Sequence, residues 1–169
     1  RVETRLKQRE SALFQSETRL KAALLAGNQG LWDWNRSDRS FFVDALFGML
    51  FGMEGSWTPD RREVLRQIHP ADRKTLFTAF RAALRDSVGQ SVEVEVRLAG
   101  PLSLRWIAVR GRVVERNYDG DAQRLVGTVQ DVTTRKQLEE ALVESNRHLG
   151  ASLERTRALM REAQTANQA

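Results

Sequence analysis

Leu6, Leu13 and Leu20 stand seven residues apart in an opening stretch, residues 1–26, that contains neither proline nor glycine. With Val2, Ser16 and Ala23 at the companion positions, the spacing predicts a helix with one apolar stripe, suited to a partner helix or to the body of a domain. Gly27, Asn28 and Gly30 are expected to end it, because glycine and asparagine tolerate the left-handed conformation that closes a helix. From residue 31 the period falls to two. LWDWN (31–35) alternates large apolar and polar side chains, Ser37, Asp38 and Arg39 read as a turn, and SFFV (40–43) reads as a second strand. Asp44 is placed to cap a short helix over 45–50, and residues 57–67 read as a loop entering another helical patch whose buried side carries Leu65 and Ile68.

Pro70 sits where a helix would start, and Leu76, Phe77, Phe80, Ala83 and Leu84 fall on one face of residues 71–85. Three strand-like runs follow, VEVEVRL (92–98), LRWIAVRGRVVE (104–115) and RLVGTVQDV (124–132), with turns expected at Gly100-Pro101 and Asp119-Gly120. Their order and short links predict an antiparallel meander. After Thr133 the chain returns to helix, with Leu138, Leu142, Leu149, Leu153 and Met160 separated by four, seven, four and seven residues. That eleven-residue repeat favours a straight or slightly right-handed pair, so this helix too is expected to need a partner.

Composition narrows the function. The chain has 169 residues, 41% apolar and 29% charged, enough for one small core with helical arms. It has no cysteine, which removes disulfides, thiolate metal sites and a cysteine nucleophile, and fits a reducing cytoplasm. No apolar run approaches the roughly 20 residues of a membrane helix, and no membrane contact by this segment is expected. The formal charge of +5 is spread from Arg1 to Arg161 and interleaved with acids, the pattern of a solvated surface; nucleic-acid binding is not expected.

The order helix, two strands, short helices, one longer helix, three-strand meander and exit helix resembles the PAS domain. The match is carried by LWDWN (31–35), IHPADR (68–73), RWIAVRGRVV (105–114) and GTVQDVTTRKQLEEAL (127–142), the last being similar to the Asp-Val-Thr motif that leaves the final PAS strand. The resemblance implies an α+β fold with a five-stranded antiparallel sheet and short helices on one face. It divides the chain into an N-terminal signalling helix (1–26), a sensor domain (27–133) and a C-terminal coiled-coil helix (134–169). REAQTANQA (161–169) is similar to the run-in to a histidine-kinase dimerisation helix, which would put a phospho-accepting histidine beyond residue 169. The chain departs from the family at AGPLS (99–103), where Asp-Gly is common. Light-sensing flavin relatives need a cysteine, absent here, and a glutamine where this sequence places Val129. Flavin photochemistry of that kind is excluded.

No catalytic constellation is visible. The two histidines are His69, beside Pro70 at a helix start, and His148 on the exit helix; capping or packing is preferred for His69 over ligation of haem, and no metal site is expected. Alternation puts Trp32 and Trp34 on one face of the first strand, and the resemblance points that face into the space between sheet and helices, with Phe42, Phe77, Phe80, Ile107, Val109 and Val129 around it. Such a space either holds a small planar or greasy ligand of unknown identity or is simply filled by the indoles; filling is preferred, because few polar groups are visible to orient a ligand. No cofactor is expected. Glu93, Glu95 and Arg97 should face away from this space. At the exit, Asp131 ends the sheet, Thr133 is placed to cap the helix, and Arg135 follows Asp131 by four residues, within reach of a charge pair.

These expectations converge on a non-catalytic sensor that dimerises through parallel helices and relays a change through its exit helix to a kinase domain downstream in the same chain. The competing readings are a ligand-free dimerisation or docking spacer, and the same module placed ahead of a cyclic-dinucleotide synthase or hydrolase.

Overall fold

The computed structural model describes residues 2–53, 58–85, 91–100 and 104–167. The chain forms two units, Arg1–Val132 and Thr133–Ala169. The first contains α1 (Val2–Ala26), β1 (Gln29–Asn35), β2 (Ser40–Val43), α2 (Ala45–Phe51), α3 (Arg61–Gln67), α4 (Pro70–Arg85), β3 (Ser91–Leu98), β4 (Arg105–Arg116) and β5 (Ala122–Asp131). The second is one helix, α5 (Thr133–Ala166). The turn expected at Gly100-Pro101 and the start of the loop expected at Trp57 lie outside the described residues.

The strands form one antiparallel sheet in the order β2-β1-β5-β4-β3. The last three strands make the expected meander. Pairing β1 with β5, from Gln29 opposite Gln130 to Asn35 opposite Arg124, brings the two ends of the domain side by side. At that corner the Gln130 side chain donates to the Gly27 carbonyl at 3.1 Å.

Local chemistry accounts for the element ends. Asn28, at φ 50°, takes the left-handed conformation after α1. Gly30, expected to help end the helix, instead lies within β1, where any Cβ would stand 2.6 Å from the backbone nitrogen of Phe47; it lets α2 approach the sheet. Asp44 caps α2 by accepting from the Phe47 N–H at 2.9 Å, and Gly52, at φ 65°, closes it. Between β4 and β5, the Asn117 side-chain oxygen accepts from the N–H groups of Asp119 and Asp121, and Gly120 adopts φ 85°.

One indole organises the sheet face beneath α2 and α4. Trp32 is 2% exposed, and its ring lies over Gly111 and Gly127, which oppose each other across β4 and β5. A Cβ on either glycine would overlap the ring, and one on Gly127 would also strike the Arg110 carbonyl. The core continues through Val92, Val94, Val96, Leu98, Ile107, Val109, Leu125 and Val129.

The opposite face is polar, with Arg124 of β5 forked onto Asp33 of β1 (3.0 and 2.6 Å) and reaching Glu115 of β4 at 2.9 Å. Glu93, Glu95 and Arg97 lie out of the core, as alternation requires. Arg97 does more than face solvent, because Asp72 in the first turn of α4 accepts from its backbone N–H (2.8 Å), its Nε (2.8 Å) and its Nη2 (2.6 Å). The guanidinium also sits 5.5 Å from the centre of the Trp106 ring. Two backbone bonds, His69 N–H to Arg97 carbonyl (2.8 Å) and Ala99 N–H to Gln67 carbonyl (2.6 Å), complete the clamp of the α3–α4 corner onto β3.

The clamp titrates. Hydrogen bonding to Arg97, above all, lowers the Asp72 pKa from 3.8 to about 2. A carboxyl more acidic in the folded than in the unfolded chain stabilises the fold above its unfolded pKa and loses that contribution as pH falls toward its folded value. Asp72→Asn should therefore cost about 1–3 kcal/mol at neutral pH. It should also flatten the loss of stability between about pH 4 and pH 2, measured by urea unfolding across pH. Gly127→Ala should cost at least about 1–3 kcal/mol by overpacking. Gly150→Ala, where a Cβ meets nothing within 4 Å, should leave melting unchanged or slightly raised.

Candidate functional site

Between the sheet and helices α2, α3 and α4 lies a cavity of about 470 Å³, within the range of small-molecule pockets. Its position follows from the amphipathic pattern of α4. Leu76 and Ala83 are buried, while Phe80 and Leu84 are half-buried and reach across to the sheet. Phe80 packs against both indoles, with ring centres 5.6 Å from Trp32 and 6.1 Å from Trp34. From α2, Phe47 and Phe51 stack at 4.4 Å and form an adjoining wall. Because the two glycines let Trp32 settle onto the sheet, the indoles do not fill the space. The expectation of a filled core is corrected accordingly.

Of the residues expected around this space, Trp32, Trp34, Phe77, Phe80, Val109 and Val129 line it. Ile107 is fully buried on the same face but lies farther along β4, between Val96 and Asp131, and does not reach the cavity. Phe42 is a correction. In an antiparallel pair, directly opposed residues share a face, and Trp34 opposes Phe41 while Trp32 opposes Val43. Phe41 therefore lines the cavity, whereas Phe42, opposite Asp33, lies on the other face and is 42% exposed. With two phenylalanines side by side in SFFV, a one-residue slip reverses the assignment.

Sequence reasoning missed the wall from α2 and the charged part of the lining, Asp60, Arg61, Arg62 and Arg81. The spacing of Phe47 and Phe51, one turn apart behind the Asp44 cap, was an available signal. Arg61 lies 5.1 Å and Arg36 6.0 Å from the centre of the Trp34 ring, cations over an indole face. His69 caps α4, its Nδ1 accepting from the Ala71 N–H at 3.3 Å. Among the described residues, no group of three or more His, Cys, Asp or Glu side chains could hold a metal ion.

At the exit, Asp131 is the last residue of β5, opposite Ile107, and the Val132 N–H donates to the Trp106 carbonyl at 2.8 Å. Thr133 is the first residue of α5, and Arg135 in its first turn pairs with Glu139. Along α5 the stripe residues Leu138, Leu142, Leu149, Leu153 and Met160 are all exposed, as are Leu6, Leu13 and Leu20 on α1. Among the described residues, no helix is long and apolar enough to cross a membrane.

The sequence model described as the PAS fold matches residues 40–129. A crystal structure of a sensory box histidine kinase/response regulator from Burkholderia thailandensis E264 is 31% identical, with a TM-score of 0.65, over 78% of this chain and 97% of that one. The Escherichia coli (strain K12) protein named Probable diguanylate cyclase DgcE is 28% identical over 88% of this chain, and the Non-motile and phage-resistance protein of Caulobacter vibrioides is 26% identical over 71%. The chain spans only 13% and 14% of the length of those two proteins. The matched span, the sheet order and the cavity between sheet and helices agree, and this chain belongs to the PAS fold family.

Proposed function

We propose that this chain is a sensory and dimerising module. Occupancy or distortion of the cavity alters how β5 holds Asp131, and the change leaves through α5 to a downstream histidine kinase. The observation that carries this reading is the unpartnered apolar stripe of α5, whose five stripe residues are between 57% and 67% exposed. A helix with such a face is stable in water when a second copy covers it, and two paired helices have few packing registers, so a small shift becomes a two-state output. Two features support a relay through β5. Val129 lines the cavity two residues before Asp131, and Gln130 between them holds the carbonyl of Gly27, where α1 enters the sheet.

The similarity to a histidine kinase favours a kinase downstream, and the similarity to DgcE favours a second reading in which the same module controls cyclic-dinucleotide synthesis. Both use the same input and the same lever. A ligand-free spacer would need neither the cavity nor its charged lining.

Two outcomes are expected. The chain should sediment as a dimer at about 50 μM, and Leu142→Glu with Leu149→Glu should shift it to monomer without lowering the melting of the sheet domain. In the longer parent protein, Asp131→Ala should change signal-dependent autophosphorylation or cyclase activity at least several-fold. Its effect on melting should stay near 1 kcal/mol, the scale of an exposed pair or cap. Glu93→Ala on the outer face serves as control, and equal, near-wild-type regulation in both variants would reduce the junction to a helix start.

A further inference from the structure

The cavity has a chemical polarity that narrows what it takes. Arg61 and Arg62 from α3 and Arg81 from α4 belong to its lining and are exposed, whereas Trp32, Ile68 and Val129 are buried. The space therefore runs from a basic mouth to an apolar floor. The carboxylate beside these cations, Asp60, is already engaged as the cap of α3, accepting from the Arg62 N–H at 3.0 Å. Among the described residues no carboxylate forms an ion pair with Arg61, Arg62 or Arg81. Arg97, by contrast, is paired with Asp72, and Arg124 with Asp33 and Glu115. Three guanidinium groups against the single carboxylate of Asp60 leave the described lining with an excess of positive charge around an apolar opening, which favours an anion there. On α4, Phe77 and Arg81 lie one turn apart, so one helix face offers a ring to an apolar body and a guanidinium to its head.

We infer that the cavity binds an amphipathic monocarboxylate. Its hydrocarbon or fused-ring body would lie against Trp32, Phe80 and Val129, and its carboxylate would be held at the mouth by Arg61, Arg62 and Arg81. A neutral body of the same shape leaves the cations unmatched, and a second carboxylate would have to be desolvated against the apolar floor. This inference rests on the reading of the cavity as the sensory input.

The test titrates the chain by calorimetry with decanoate, 2-naphthoate and the neutral decan-1-ol, all below micellar concentration. At least one carboxylate should bind, and the two arms separate an aliphatic from an aromatic body. Decan-1-ol should bind at least about tenfold more weakly than decanoate. Arg62→Gln combined with Arg81→Gln, which spares the Arg61 guanidinium over Trp34, should weaken the carboxylate about tenfold while leaving decan-1-ol binding and melting unchanged. Raising salt from about 0.05 to 0.5 M should weaken only the carboxylate. Equal affinity for acid and alcohol, an unaltered double variant, or no binding of either carboxylate overturns the inference. The first two outcomes leave the cavity as a ligand site without charge selectivity. The relay is judged separately, by the Asp131→Ala comparison in the parent protein.

Discussion

The fold depends on an indole placed where two side chains are missing. Trp32 comes from β1, and the space it occupies is that of the absent Cβ atoms of Gly111 on β4 and Gly127 on β5. One ring thus spans three neighbouring strands, meeting Gly111 and Gly127 at 79 and 95 residues further along the sequence, and joins the start of the domain to its end. The same placement gives the cavity its floor. Large side chains at either glycine would lift the ring toward Phe80 and close the space, since interiors are too dense to absorb a displaced indole.

The far wall is held from outside the core. Asp72 and Arg97 join the first turn of α4 to the edge strand β3, supported by backbone bonds from His69 and Ala99 and by the bridge between Ile68 and Leu98. A charged clamp at the rim fixes the angle of α4 without placing a polar group in the apolar lining. It also covers an edge strand that would otherwise present unpaired backbone. With α4 fixed in this way, its amphipathic pattern delivers Phe80 inward and Arg81 to the opening, so this one helix contributes to both the apolar lining and the basic mouth.

The sheet domain and the terminal helices differ in what they contribute energetically. The sheet and its packed helices supply the stability. The stripes of α1 and α5 are exposed and bury no apolar side chain within this chain, so they add little to that stability. The register between β1 and β5, with Gln130 reaching Gly27, puts the entrance of the domain in direct hydrogen-bonded contact with the strand that leads to its exit.

Local pattern determined a great deal by itself. Period-two alternation in LWDWN and VEVEVRL, the Asp44 cap, the start of α4 at Pro70 and the leucine spacing of both terminal helices each follow from interactions within a few residues, which short sequence windows contain. Four motifs in order were enough for the family. The facing of Phe41 and Phe42 was not legible, because two adjacent phenylalanines satisfy either phase until Trp34 and Phe41 are paired across strands. Nor were the functions of Gly111 and Gly127, since a glycine declares its purpose only through the distant atom that occupies its empty side-chain position. The open cavity and its three arginines are tertiary for the same reason: Arg61, Arg62 and Arg81 look like any solvated charges along the chain, and only the folding of α3 and α4 over one sheet gathers them at a single mouth.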